Sequence, residues 1–301
     1  MLPTVNQTQA GIFYSNRMRF ALINSGLGLL AAASELHRFR PDADLVIAMD
    51  PDGMPWGPRT PQDIAERSLR IARAAARYEP DVIVMACNTG SVHALDALRA
   101  EFEPDIPVVG TVPAIKPAAA AASSVAIWAT VATTASEYQR WLITEFGGEA
   151  TVTPVACPGL ATAIDAGDNA AIAAAAAAAA LRTPDGCGAV VMGCTEYELA
   201  ADQISAAVPG AALFGSAAAV AAQALRRTAQ ADGVSGPAGH GRPAPDGHGR
   251  PAPDGLVESG TLSVLLSGRR ADLPRAALQY RQGRELAALA AGCDPAAGLA
   301  V

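Results

Sequence analysis

Short apolar runs alternate with longer amphipathic stretches along most of the chain. Runs rich in Val and Ile predict strands at residues 20–23, 45–48, 82–85, 108–109, 125–128, 152–155, 189–192, 212–214 and 261–266. The stretches between and after them predict helices at residues 29–39, 61–78, 91–101, 135–146, 170–181, 217–228 and 274–291. Regular alternation of strand and helix favours parallel sheets that are covered on both faces, so we expect an α/β fold.

The two halves of this pattern resemble each other at a constant spacing. The segment VIVMAC, which ends at Cys87, resembles AVVMGC, which ends at Cys194, 107 residues later. Gly110 and Gly215 follow the next strands in each half, 105 residues apart. Chance similarity between Val-rich strands explains each pair but not the shared spacing, which indicates an internal duplication.

A low-complexity segment interrupts the second half. Residues 239–254 repeat GHGRPAPD twice, and Gly, Ser and Pro flank the repeat. Such a composition does not form a packed element, so we expect a flexible surface insertion at 233–255.

Charge and hydropathy limit the partners. The chain has 301 residues and a formal net charge of −7, which disfavours nucleic acid and anionic membranes. No apolar run reaches the roughly 20 residues that span a membrane. Residues 20–33 imitate a signal peptide, but the polar residues and glycines at 24–28 interrupt the apolar centre. We therefore expect a cytoplasmic protein.

The reactive residue types also exclude some chemistries. The only lysine is Lys116, which disfavours an enzyme that binds pyridoxal phosphate as a Schiff base. Only His37 and His93 lie outside the repeat, which disfavours a multi-histidine metal site. The five cysteines lack the spacing of a disulfide scaffold, which suggests a reducing compartment and free thiols.

Cys87 and Cys194 are the strongest candidates for chemistry. Each follows a predicted strand and precedes a predicted helix, at the sheet edge where ligands of parallel sheets bind. A helix N-terminus lowers a thiol pKa and can hold a carboxylate, so we expect reactive thiols. If the duplicated halves face each other, one thiolate can remove a proton from carbon while the other thiol donates one on the opposite side. A small apolar role for both cysteines is the alternative.

Several motifs together resemble the cofactor-independent aspartate/glutamate racemase superfamily, and within it the glutamate racemases. They are NSGLG at 24–28, WGPR at 56–59, ACNT at 86–89, ATVATT at 129–134, ACP at 156–158, GCTEY at 193–197 and LLSG at 265–268. The resemblance implies two pseudo-symmetric α/β domains with the active site in the cleft between them. The first domain would be 18–110 with 256–292 and the second 111–216, with 217–232 as a returning helix.

The resemblance also implies the site residues. Cys87 and Cys194 would be the two catalytic acid/base groups, without metal or cofactor, and the substrate would be a small acidic amino acid. The residues implied to bind the substrate are Asn24, Ser25, Trp56, Gly57, Asn88, Thr89, Thr130, Thr133 and Thr195. Members of the superfamily are often homodimers, which is the assembly we expect here.

Four positions depart from the family pattern. Asn24 replaces an Asp, Trp56 a Tyr, Asp165 a Glu and Glu196 a His. We expect Glu196, beside Cys194, to disfavour the thiolate by charge repulsion or to take up a proton itself. Glu196 and Asp165 are therefore possible helpers behind the cysteines.

The function implied is interconversion of L- and D-glutamate, which would supply D-glutamate for peptidoglycan. Two alternatives remain open. Because GCTE also occurs in the aspartate racemase branch, the substrate could be aspartate or a related α-substituted acid. With Asn24 and Glu196, the site could also have become a non-catalytic binding site.

Overall fold

Ten strands in the described part of the chain form two sheets. The computed structural model describes residues 17–231 and 259–291. The strands are β1 (Arg19–Asn24), β2 (Asp44–Met49), β3 (Val82–Met85), β4 (Val108–Gly110), β5 (Ser124–Ala129), β6 (Thr151–Ala156), β7 (Ala189–Met192), β8 (Ala212–Phe214), β9 (Leu262–Leu266) and β10 (Arg269–Arg270). The α/β fold class is confirmed.

Twelve α-helices lie in the described residues. They are α1 (Leu29–Phe39), α2 (Pro61–Ala76), α3 (Asn88–His93), α4 (Leu95–Phe102), α5 (Ile115–Ala121), α6 (Val131–Ala135), α7 (Glu137–Phe146), α8 (Leu160–Ala166), α9 (Asn169–Ala180), α10 (Ala201–Ala207), α11 (Ala217–Ala231) and α12 (Arg281–Ala291). Two 3₁₀ segments cover Thr195–Ala200 and Arg275–Gln279. No helix of the described part of the chain is long and apolar enough to cross a membrane.

Four neighbouring strands of the first sheet have the same order as the four strands of the second. The first runs β10-β9-β2-β1-β3-β4 and the second β6-β5-β7-β8. All neighbouring strands are parallel except β10, which pairs antiparallel with β9. β2-β1-β3-β4 therefore matches β6-β5-β7-β8, as an internal duplication predicts. The domain boundaries drawn from the sequence stay a prediction, and the insertion at 233–255 lies outside the described residues.

The duplication places both cysteines at equivalent points. Met85 ends β3 and pairs with Ile23 of β1, while Met192 ends β7 and pairs with Trp128 of β5. Cys87 and Cys194 each follow two residues after these strand ends. Both therefore lie beyond the carboxyl end of a central strand pair.

A shared core joins the two sheets. One contiguous apolar cluster includes Phe20 of β1, Leu29 of α1, Trp128 of β5 and Tyr197, all fully buried. Because side chains from both halves fill the same core, the floor of the cleft between them is fixed by packing.

The structure corrects several helix predictions. The helix predicted at 91–101 is two helices, α3 and α4, which break at Ala94. α3 begins at Asn88, so Cys87 is its N-cap residue. α5, α6, α8 and α10 were not predicted, because each is a short stretch of five to seven residues without a clear periodic pattern.

The helix predicted at 274–291 is also divided. The chain is extended at Tyr280, between the 3₁₀ segment and α12. The Tyr280 hydroxyl donates to the Ile164 carbonyl at 2.5 Å, a distant contact that local sequence does not reveal.

Candidate active site

A cavity of about 370 Å³ opens between the two sheets at the carboxyl ends of their strands. Segments from both halves of the chain line it. Its lining includes most of the residues predicted from the sequence: Ser25, Trp56, Gly57, Cys87, Asn88, Thr89, Thr130, Thr133, Asp165, Cys194 and Glu196. The sequence prediction therefore brought together residues that the fold places around one space.

Cys87 lies at the start of α3 with extended backbone angles, φ −148° and ψ 126°. Its sulfur accepts a hydrogen bond from the Gly90 N–H at 3.5 Å. Burial raises the pKa of the Cys87 thiol to about 12, and the charge of Glu196 adds to the rise. Backbone N–H groups, including that of Gly90, oppose this shift without reversing it.

Cys194 has a similar backbone, φ −134° and ψ 134°, but a different neighbour. Its thiol donates to Glu196 Oε2, with 2.8 Å between sulfur and oxygen. Burial raises the pKa of Cys194 well above its usual range, and the Glu196 carboxylate is the next largest cause. The charges of Cys87 and Asp165 also contribute.

The prediction of lowered thiol pKa values is wrong for the resting protein. α3 has only six residues, and the segment after Cys194 is a 3₁₀ turn. The partial charge at such short helix starts is small compared with the cost of ionising a thiol in a buried site. Repulsion by Glu196, which the sequence did suggest, acts in the same direction as burial.

Asn24 and Thr195 lie behind the cavity wall and do not line it. Asn24 is fully buried, and its Nδ2 donates to the Ala86 carbonyl at 2.7 Å and to Thr195 Oγ1 at 3.2 Å. The pair therefore ties the end of β1 to the residue after Cys194. A Cβ atom on Gly28 would lie 2.3 Å from Thr195 Oγ1, so glycine is required there by close approach.

Asn88 makes a second link between the halves. Its Nδ2 donates to the Gly193 carbonyl at 2.6 Å, next to Cys194. Its Oδ1 is buried and has no hydrogen-bond partner among the described residues. Asn88 thus has one buried acceptor that no described protein group uses.

The start of α6 forms the cavity wall that carries Thr130 and Thr133. Thr130 is the N-cap residue, and its Oγ1 accepts from the Thr133 N–H at 3.2 Å. The two hydroxyl oxygens lie 3.0 Å apart. This cap fixes both hydroxyl groups on one wall.

Asp165 reaches the cavity from α8. Its Oδ1 accepts from the Leu27 N–H at 2.8 Å, and a Cβ atom on Gly26 would lie 2.4 Å from the same oxygen. Burial raises the pKa of Asp165 to about 8, and the charge of Glu196 contributes. Two acidic side chains thus share the Cys194 side of the cavity.

Sequence reasoning missed one wall of the cavity. Cys157, which the sequence presented only as part of the ACP motif, lines it together with Pro158, Gly159 and Thr162. This segment follows β6, the counterpart of β2 in the duplication, and the loop after β2 carries Trp56. The duplication itself was therefore the signal that could have identified this wall.

No group of three or more His, Cys, Asp and Glu side chains placed to hold a metal ion occurs in residues 17–231 and 259–291. Among the described residues, those that line the cavity carry thiol, carboxyl, hydroxyl and amide groups and include no Lys, Arg or His. The chemistry these groups offer directly is proton transfer by thiols and carboxyls.

Comparison with known proteins agrees with this geometry. The model of the Asp/Glu/Hydantoin racemase family matches residues 23–224. The chain belongs to this family. The glutamate racemase of Herpetosiphon aurantiacus is 36% identical over 217 residues, which cover 70% of this chain and 85% of that protein. This racemase is therefore an isomerase.

Solved structures show the same fold. The Escherichia coli glutamate racemase, crystallised with L-glutamate and the activator UDP-MurNAc-ala, has a TM-score of 0.69 and 28% identity, covering 87% of this racemase and 92% of that chain. The Thermus thermophilus enzyme, in complex with beta-chloro-D-alanine, has a TM-score of 0.61 and 25% identity, covering 90% and 93%.

Proposed function

We propose that this racemase interconverts L- and D-glutamate with Cys87 and Cys194 as the two acid/base groups. The observation that carries the proposal is that both cysteines, from equivalent strand ends, line one cavity. The similarity to glutamate racemases over most of their length supports the choice of glutamate.

In the proposed reaction, one thiolate removes the α-proton from one face of the substrate. The electrons of the C–H bond stay on the substrate as an enolate-like carbanion, and the opposite thiol donates its proton to the other face. The cysteines end with their protonation states exchanged. Because both pKa values are raised in the resting protein, the thiolate forms only when a neighbouring group accepts its proton.

Glu196 is the proton acceptor that we assign to Cys194. Its Oε2 already receives the thiol hydrogen bond at 2.8 Å, so a short transfer along that bond produces the thiolate and a neutral carboxyl group. No carboxylate of residues 17–231 or 259–291 is hydrogen-bonded to the Cys87 sulfur, and we assign the proton exchange of Cys87 to the substrate and solvent.

Polar groups on the opposite walls would hold the substrate. We assign the Asn88 side chain, which lines the cavity, to the substrate ammonium group. Hydroxyl and N–H donors at Ser25, Thr89 and Thr133 would bind the two carboxylates, and donors at the α-carboxylate would stabilise the enolate-like charge. Asn24 and Thr195 would keep the walls in position.

The biological role we propose is supply of D-glutamate for peptidoglycan by a cytoplasmic homodimer without metal or cofactor. The domain boundaries are proposed as 18–110 with 256–292 and 111–216.

The test is to incubate the purified protein, without cofactor, with each enantiomer of glutamate and aspartate in D₂O. Loss of the α-proton signal by proton NMR, together with decay of circular dichroism for both glutamate enantiomers, is expected. Exchange with neither glutamate nor aspartate would contradict the proposal and favour a binding role.

Aspartate is the second candidate substrate, because Glu196 stands where glutamate racemases usually carry His. Faster racemisation of aspartate than of glutamate in the same panel would establish it.

A further inference from the structure

The loop after β2 forms the cavity wall next to Cys87, and its central residue is Trp56. The indole is almost fully buried, yet it lines the cavity together with Pro55 and Gly57. A Cβ atom on Gly90 would lie 3.1 Å from Trp56 Cζ3, so the ring lies against the first turn of α3. The Gly90 N–H is the group that binds the Cys87 sulfur.

Asp50, at the end of β2, holds this indole. Trp56 Nε1 donates to Asp50 Oδ2 at 3.1 Å. Asp50 is fully buried and does not line the cavity. Indole N–H is a single donor, so this bond fixes the rotation of the ring in its plane.

Asp50 is itself held by cations from α2. Arg67 Nη1 lies 3.2 Å from Asp50 Oδ2, and Arg70 Nη2 lies 2.9 Å from Oδ1. Ser267 Oγ, after β9, donates to Oδ1 at 3.4 Å. A Cβ atom on Gly53 would lie 2.0 Å from Asp50 Oδ2, so the loop folds tightly over the carboxylate.

We propose that Asp50 is a positioning residue: by anchoring Trp56 to α2, it fixes the wall beside Cys87 and so determines how tightly the cavity holds the substrate side chain. The inference rests on the proposed function for its substrate but not for the Asp50–Trp56 contact itself. A buried carboxylate with two ion pairs is a rigid anchor, because moving it breaks the pairs with Arg67 and Arg70 and leaves Arg67 with Asp63 as its remaining ion-pair partner.

The test compares Asp50→Asn with Trp56→Phe and the double variant. Asp50→Asn keeps the shape but removes the charge that holds Arg67 and Arg70, whereas Trp56→Phe removes the indole donor together with part of the ring. Asp52→Asn is the matched control, because Asp52 lies in the same loop but pairs with the exposed Arg269.

Two readouts separate positioning from general stability. With 5-fluorotryptophan, the three tryptophans give three ¹⁹F resonances, and Trp56→Phe identifies the Trp56 line. Asp50→Asn is expected to shift or broaden this line alone. Asp50→Asn should raise KM for glutamate about tenfold, with kcat changed less than about threefold. The same substitution should raise KM less in the Trp56→Phe background, because the contact it breaks is already absent there.

An unchanged Trp56 line in Asp50→Asn, or an equal change in Asp52→Asn, would overturn the inference. So would a fall in kcat with KM unaltered. If the parent protein turns over neither glutamate nor aspartate, the proposed function fails separately. In that case the Kd of D-glutamate, measured by titration of the Trp56 ¹⁹F resonance, replaces KM as the readout. The inference is overturned if the parent and Asp50→Asn have equal Kd values, or if the parent does not bind D-glutamate.

Discussion

The Cys87 and Cys194 regions have the same backbone origin and different surroundings. Each cysteine follows a central strand by two residues and has extended backbone angles. The Cys87 sulfur accepts from a backbone N–H, whereas the Cys194 thiol donates to the Glu196 carboxylate. Asp165 adds a second acid on the Cys194 side. The matching strand ends thus place both thiols alike, and the side chains around them give each thiol a different hydrogen-bond partner.

Removing either thiol is expected to have the largest effect. Cys87→Ala and Cys194→Ala should each lower racemisation of glutamate by about 10³-fold or more, because inversion needs a group on both faces. Circular dichroism of both enantiomers measures the rate. Full activity in either variant would show that only one cysteine takes part.

Glu196→Gln tests the difference between the two thiols. We expect racemisation to fall by about 10²-fold, because the amide cannot accept the Cys194 proton. The pKa of Cys194 should fall, because the Glu196 charge helps to raise it. Iodoacetamide reacts with thiolates, so alkylation of Cys194 at neutral pH should become faster. Unchanged racemisation would remove Glu196 from the mechanism.

Gly28→Ala tests the contact that joins the two regions. The added Cβ would lie 2.7 Å from both Asn24 Nδ2 and Glu196 Oε1, so the linked side chains must move apart. We expect unfolding free energy to fall by about 2 kcal/mol, measured by urea denaturation. Gly57→Ala is the matched control, because its Cβ would meet only Ala132 at 3.8 Å. Equal stability of the two variants would contradict the close approach.

Asp165 should make stability depend on pH. Its pKa is raised in the folded state, so above the usual Asp value the folded protein keeps a proton that the unfolded chain has lost. The contribution of the neutral Asp165 carboxyl group to the free energy of unfolding is therefore complete at low pH and is lost as the pH rises towards about 8. We expect the stability of Asp165→Asn, relative to the parent, to rise by about 1 kcal/mol per pH unit from pH 5 to 7. If the free energy of unfolding of the parent and of Asp165→Asn changed with pH in parallel, the raised pKa of Asp165 would be contradicted.

Much of the fold was predictable because the signals are local. Val-rich runs mark the strands, and the recurrence of the Cys87 motif at Cys194 indicates the duplication that the matching sheet orders display. The division of the helix at Ala94 and the wall at Cys157 were missed, because both depend on contacts between distant segments.

By itself, the sequence determined the α/β fold, the order of its elements and the position of each cysteine at a strand end, because hydrophobic periodicity and strand-end motifs are local. Only the tertiary structure decided that burial outweighs the helix start and raises both thiol pKa values. It alone also placed Asn24 behind the wall and anchored Trp56 to Asp50. Burial, charge repulsion and hydrogen bonding act through space, between residues that the sequence separates.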